Sequence, residues 1–320
     1  MKRREFVTIL GGAAAWPLAA NAQQPKVHTI GILVLGNPEP AAFLKVVREE
    51  LAKLGYAEGR NCKYEVRSAG GNAARLPALA SELVKLPVDV IVVWQTPSTI
   101  AARDVTKEIP IVMIAVGDAV ATGIVSSLAR PGGNITGNTA IAAEVMSKNM
   151  ELIREVLPKA ERVAAFANAV DPFTKPYLGH IEASASALGI KLERVMAYPT
   201  DEADAHFQVM KDKKVDAVII QPTLLRPGVA DLALKYKLPS FAMLPAYPLS
   251  GGLMAYGANT LVQWKEGAVY IDKVLKGQRP ADLPVAQPTK FDLVINLKTA
   301  KALGITVPSS LIARADEVIE

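Results

Sequence analysis

Two stretches of the chain carry nearly the same order of apolar and polar positions. Val88 to Val116 reads VDVIVVWQTPSTIAARDVTKEIPIVMIAV, and Val215 to Leu244 reads VDAVIIQPTLLRPGVADLALKYKLPSFAML. Each opens with Val-Asp and a β-branched run, passes through a polar turn and a helix-like segment, reaches Ile109-Pro110 or Leu238-Pro239, and ends in another apolar run. Apolar runs without alternation suit parallel strands buried on both faces, covered by crossover helices. The pattern predicts strand, helix, strand in each copy, and so two similar lobes with a cleft between them.

The flanking sequence extends this alternation. Before the first copy come an apolar run at 28–35 and a helical stripe of Phe43, Val47, Leu51 and Leu54 stopped by Gly55, then KYEVRSAG and a helix at about 73–86. Pro131-Gly132-Gly133-Asn134 is a turn, and a short strand at 135–139 leads into the second lobe. There the alternation restarts with a helix at about 144–157, VAAFAN, a helix to Leu188, KLERVMAY and a helix at about 201–213. The fold class expected is α/β: two Rossmann-like lobes with parallel sheets. GGLMAYG and a long helix ending at Gly277 are expected to return to the first lobe, and Pro280 to Pro288 to cross back. Three crossings make a hinge, although a single return crossing would use the same strands. The expected division is 27–138 plus 247–282 for the first lobe and 139–246 plus 283–320 for the second, after a signal at 1–22.

That signal rests on Lys2, Arg3 and Arg4 ahead of FVTILGGAAAWPLA and Ala20-Asn21-Ala22, with cleavage expected after Ala22. The apolar stretch is shorter than the roughly 20 residues a membrane span needs. Arg3-Arg4-Glu5-Phe6-Val7 is similar to a twin-arginine signal, and the general secretion route also fits. Cleavage would leave 33 Lys plus Arg against 30 Asp plus Glu, too small an excess to argue for nucleic acid. Cys62 is the only cysteine, so no internal disulfide is possible. A bacterial periplasm is the compartment expected.

In open parallel sheets ligands bind beyond the carboxyl ends of the strands, where helix N-termini converge. That rule selects Asn37 and Glu39, Gln95 to Ser98, and Asp118 in the first lobe. In the second it selects Asn168, Asp171, Gln221, Thr223 and Tyr247. Thr96 and Ser98 flank Pro97 in a first helical turn that favours an anion by about 0.3 to 1 kcal/mol, or about 2 when partly buried. Thr96 equally suits a plain helix cap. Asp118 is placed to pair a ligand ammonium or to cap a helix from Thr122 to Leu128, and Asp171, ahead of Pro172, reads also as a turn residue. Trp94, Tyr247 and Tyr256 offer flat walls; core packing is the competing role for Trp94. His28, His180 and His206 form no metal motif, GILVLG lacks dinucleotide-loop spacing, and Gly-x-Ser-x-Gly is absent. No cofactor and no paired nucleophile and base emerge.

ARPGGNITG at 129–137, LPV at 283–285, PTKFDLVINLKTAKALGITVP at 288–308, the tail ARADEVIE and the leader resemble the substrate-binding proteins of ABC transporters, in particular the tryptophan-type periplasmic subfamily. The resemblance implies a type I periplasmic binding protein with a three-strand hinge, monomeric and without enzymatic activity. It implies capture of a small carboxylate-bearing solute, an amino acid or an aromatic or organic acid, for delivery to an inner-membrane permease. Family members that bind amino acids use the loops matching Gln95 to Ser98 and Asp118. Where the family commonly has Gly-Thr-Pro and Ser-Asp-Pro, this chain has Gln95-Thr96-Pro97 and Gly117-Asp118-Ala119. Two rivals remain: a sensing accessory of a membrane receptor, and an exported α/β enzyme. A transcription regulator shares the two-lobed core, but no DNA-binding headpiece precedes His28.

Overall fold

The computed structural model describes residues 26–36, 40–141, 143–198 and 201–320. The expected leader and two candidate site residues, Asn37 and Glu39, lie outside the described residues. The first lobe is built from β1 (His28–Val34), α1 (Ala41–Lys53), β2 (Cys62–Ser68), α2 (Leu76–Val84), β3 (Val90–Trp94), α3 (Thr96–Val105), β4 (Ile111–Gly117) and β5 (Ile135–Ile141). The second follows with α4 (Ala143–Val156), β6 (Arg162–Asn168), α5 (Thr174–Ala187), β7 (Lys191–Ala197), α6 (Ala203–Asp212), β8 (Ala217–Ile220), α7 (Val229–Lys235), β9 (Ser240–Ala242) and β10 (Met254–Ala258). The chain ends with α8 (Thr260–Leu275), β11 (Phe291–Asn296), α9 (Leu297–Leu303), α10 (Ser309–Ile312) and β12 (Glu317–Ile319). Among the described residues no helix is long and apolar enough to cross a membrane.

The first sheet runs β2-β1-β3-β4-β5, all parallel, and the second repeats the order as β7-β6-β8-β9-β10 before adding antiparallel β11 and then β12. The two Val-Asp copies therefore occupy the same place, β3-α3-β4 in one lobe and β8-α7-β9 in the other. Their aspartates do the same work. Asp89 accepts the Thr29 amide at 2.8 Å, and Asp216 accepts the Arg162 amide at 2.8 Å, so each ties the first strand of its lobe to the third. The central strands are buried along their whole length, because helices cover both faces of each sheet. Cys62 is wholly buried at the start of β2.

Each fifth strand sends the chain into the other lobe. After β5, α4 packs on β10 and α5; after β10, α8 packs on β4, β5 and α1. The expected boundaries move accordingly. Thr139 to Ile141 remain in the first sheet, since Ile141 pairs with Gly117. Residues 254–258 belong to the second sheet rather than the first lobe, because β10 fills the open edge of β9 and pairs with β11. The third crossing comes after Ala286, not before Leu283. Leu283 and Val285 are buried among first-lobe side chains, and Ala286 exchanges hydrogen bonds with Gly137 and Thr139 at 2.9 and 3.0 Å.

The crossings are close-packed. A Cβ on Gly137 would run into the Met113 carbonyl, and one on Gly257 into the Met243 carbonyl, so both fifth strands lie against the fourth with no room for a side chain. Gly137 also has φ +131°, a conformation L-residues rarely adopt. Gly137→Ala is expected to lower unfolding stability by about 3 kcal/mol or more in chemical denaturation. Gly189→Ala, at a helix end with φ +65° and nothing within 4 Å, is expected to cost only about 1 kcal/mol.

Candidate functional site

The carboxyl ends of the two sheets face one another across a cavity. Trp94, Gln95, Thr96, Ala115 and Gly117 form its first-lobe wall, and Asp171, Phe173, Pro222, Thr223, Met243 and Leu244 its second. Ala140, Ala258, Thr260 and Gln263 close it at the hinge. The lobes touch here: a Cβ on Gly117 would come within 2.7 Å of the Phe173 ring, so that ring is seated directly on the first-lobe backbone.

On the first-lobe side the wall is rigid. Trp94 stacks on Phe43 with ring centroids 5.1 Å apart and meets Trp264 edge-on at 5.5 Å, so it serves both the core and the cavity. Gln95 sits at the helix entry with φ 71° and ψ 162°. The Thr96 hydroxyl oxygen accepts the Gly117 amide at 3.1 Å, which leaves its proton for another acceptor. The first turn of α3 contributes backbone N–H groups that helix geometry leaves without intrahelical partners. Ser98 is wholly buried with its hydroxyl unpartnered, and it does not line the cavity.

The second-lobe wall is a hydrogen-bonded network that unites four of the sequence-selected residues. The Asp171 carboxylate accepts from the Phe173 amide at 2.9 Å, the Gln221 side-chain amide at 2.8 Å and the Thr223 hydroxyl at 2.9 Å. Gln221 in turn accepts from the Asn168 amide at 2.8 Å and the Thr174 hydroxyl at 2.9 Å, while the Asn168 side chain donates to Thr223 at 3.3 Å. Burial pushes the Asp171 carboxyl above the usual carboxylate range, and its three donors oppose that rise only in part. A carboxylate has about four acceptor positions, so three donors leave one for a ligand. Among the described lining residues Asp171 alone carries a charge.

Besides Ser98, two sequence-selected residues fall elsewhere. Asp118 does not line the cavity: its carboxylate caps a turn by accepting the Ala121 amide at 2.9 Å, and the expected helix from Thr122 to Leu128 is a series of turns. Its other oxygen stands 3.9 Å from His180 of α5, across the lobes. Tyr247 is a core residue, not a wall. Its hydroxyl donates to Ser240 at 2.8 Å, its ring packs on Gly252, and burial raises its pKa. Tyr256 stacks on Phe291 with centroids 5.9 Å apart.

Phe173, Met243, Thr260 and Gln263 line the cavity without having been selected. Gln263 donates to the Thr139 carbonyl at 2.9 Å, and its own carbonyl accepts from Asn138 at 2.8 Å, binding α8 to β5 at the hinge. Asn259 capping α8 was the available sequence signal, since it accepts the Val262 amide at 2.8 Å and so fixes the helix start in the cleft.

The family model described as ABC transporter substrate binding protein matches residues 30–319. A tyrosine-binding protein of Clostridioides difficile (strain R20291) is 28% identical over 268 residues, covering 82% of this chain and 75% of that one. The ABC domain from Streptococcus pneumonia in complex with L-Trp superposes with a TM-score of 0.85 at 27% identity, over 92% of this chain and 100% of that one. A ligand-free, open structure of a substrate binding protein with adhesive properties from Clostridium difficile gives 0.65 at the same 27% identity, over 92% and 99%.

Gln221→Leu keeps the volume of this side chain but strands the Asn168 amide and removes one of the three donors to Asp171, while the Thr174 hydroxyl keeps the Asn168 carbonyl and the Asp171 oxygen keeps Thr223. A loss of about 2 kcal/mol in unfolding stability is expected by chemical denaturation.

Proposed function

The chain belongs to the ABC transporter substrate-binding protein family, a family of binding proteins rather than enzymes, and from that premise we propose that it captures a free amino acid in the interlobe cleft. The observation that carries this reading is the opposed polarity of the two walls. The α3 N-terminus and the Thr96 hydroxyl favour a carboxylate. Asp171, buried and with an acceptor position to spare, favours an ammonium. Trp94, Phe173, Met243 and Leu244 surround the remaining space with apolar surface. A zwitterion with an apolar or aromatic body satisfies all three, whereas a simple acid leaves Asp171 with no counter-charge. Two of the relatives bind tyrosine and tryptophan, ligands of this kind.

The captured solute passes to an inner-membrane permease, and closure of the lobes is the signal the permease reads. The arrangement described is a closed one. Two relatives of equal identity and near-equal coverage differ in how well they superpose, 0.85 for the ligand-bound and 0.65 for the open structure, as expected when lobe orientation rather than lobe structure differs. The leader fits export to the periplasm after cleavage at Ala22, by the twin-arginine or the general route. The protein acts as a monomer.

L-tyrosine and L-tryptophan are expected to raise the melting temperature of the purified mature protein; a screen in which no amino acid does so would sink the reading. Asp171→Asn is expected to weaken binding about tenfold to a hundredfold by titration calorimetry. An ammonium needs the ionised carboxylate, and burial raises the free protein's Asp171 pKa. Wild-type affinity should therefore fall on acidification, starting above the value of about 3.9 at which an ordinary aspartate titrates. The variant should be flat over the same range. Gly117→Val pushes against Phe173 and should hold the lobes apart, lowering affinity at least about tenfold and enlarging the scattering radius with ligand present.

A further inference from the structure

Gln95 is held in a conformation that only glycine adopts freely, with φ 71° and ψ 162°. Nothing in its side chain requires that backbone; its neighbours impose it. Its N–H donates to the Ile114 carbonyl at 3.2 Å, continuing the β3–β4 ladder, and its carbonyl accepts the Thr99 amide and hydroxyl at 3.3 and 2.9 Å. The backbone is thus pinned from both sides while the side chain lines the cavity. Gln95 is 8% exposed, and its Oε1 is buried without a hydrogen-bond partner.

A buried amide oxygen without a partner is costly, and a glycine would remove both that cost and the backbone strain. Among the described residues the side chain has no hydrogen bond that would repay either. What remains is a partner that enters the cavity. Trp94 and Ala115 flank it, and the polar groups beside it on this side, the Thr96 hydroxyl proton and the N–H groups of the first turn of α3, are donors assigned to the ligand carboxylate. An amide can turn over, so its cavity end presents an acceptor or a donor, and either one calls for a polar ligand group.

We infer that Gln95 is a specificity-determining residue, whose side-chain amide hydrogen-bonds a polar group on the side chain of the captured amino acid. The inference rests on the proposed amino-acid site and adds what that site distinguishes. A cleft selecting only an apolar body would have no use for this amide. A site that hydrogen-bonds a ligand group discriminates strongly against the analogue lacking it, because its own polar atom is then left unpaired.

The test uses three pairs of amino acids that differ by a polar group: L-tyrosine and L-phenylalanine, L-threonine and L-valine, L-glutamine and L-methionine. Affinities are measured by titration calorimetry on wild type, Gln95→Met, which keeps the bulk, and Gln95→Gly, which also relaxes the backbone. Wild type is expected to prefer the polar member of at least one pair by about tenfold or more, and both variants to bring that ratio within about twofold. Gln95→Gly is also expected to melt above wild type without ligand, which verifies its folding and reads the strain directly. Binding by wild type without a polar preference, or a preference both variants retain, overturns the inference and leaves the amino-acid site standing. Wild type that binds no amino acid overturns the site itself.

Discussion

The cleft depends on how the polypeptide leaves each sheet. A fifth strand laid against the fourth must cross into the other lobe, and at Gly137 and Gly257 there is space for backbone alone beside the carbonyls of Met113 and Met243. The helix that follows then covers the partner's sheet: α4 serves the second lobe and α8 the first. Neither lobe completes its own core, so the two cannot separate, yet only a few strands join them. That combination permits rotation about the hinge while keeping the strand ends opposed. Asn138 and Gln263 reinforce it, fastening α8 to β5 close to the cavity floor.

The opposed ends are chemically different. The first lobe offers a helix N-terminus and a hydroxyl, whose preference is for negative charge, and it places them on a wall stiffened by Trp94 stacked on Phe43, with Trp264 edge-on to both. The second offers a carboxylate sunk into a network of side-chain donors. Placing Asp171 in so dry a position raises its pKa and lowers the stability of its ionised form, a cost that three hydrogen bonds offset incompletely. In the proposed site, a ligand ammonium between the lobes would remove the remaining deficit, most fully when closure excludes water, and would so couple binding to closure through the same carboxylate.

Much of this was legible in the sequence because it depended on local pattern. The paired Val-Asp repeats located β3 and β8, and the rule of strand carboxyl ends picked from loop position alone Gln95, Thr96, Asp171 and Thr223, which line the cavity, and Gln221 and Asn168, which brace Asp171 and Thr223 behind it. What escaped was long-range. GGLMAYG reads as a strand in either lobe, and only the free edge of β9 decides which one receives it. Leu283 to Ala286 look like linker, although they pack on the first lobe through Val285 and through the hydrogen bonds of Ala286. Tyr247 looked like a wall residue because loops are usually open, but Gly252 gives its ring a seat and Ser240 gives its hydroxyl an acceptor. Asp118 took the alternative role its turn context also allowed. Phe173 and Gln263 join the cavity by apposition of elements far apart in the chain, which no spacing encodes.

The contact between Gly117 and Phe173 connects these threads. Phe173 donates its amide to Asp171 and lays its ring on Gly117, so one residue links the charged group of the second lobe to the first lobe's strand end. Any rotation that opens the cleft must lift this ring from the backbone it covers, and it widens water's access to the Asp171 carboxylate, which lines the same cavity. Opening therefore hydrates an aromatic surface, which is unfavourable, and a buried anion, which is favourable. The two terms oppose one another. On the proposed reading a bound zwitterion would cancel the second term while leaving the first, and so would move the balance to the closed form.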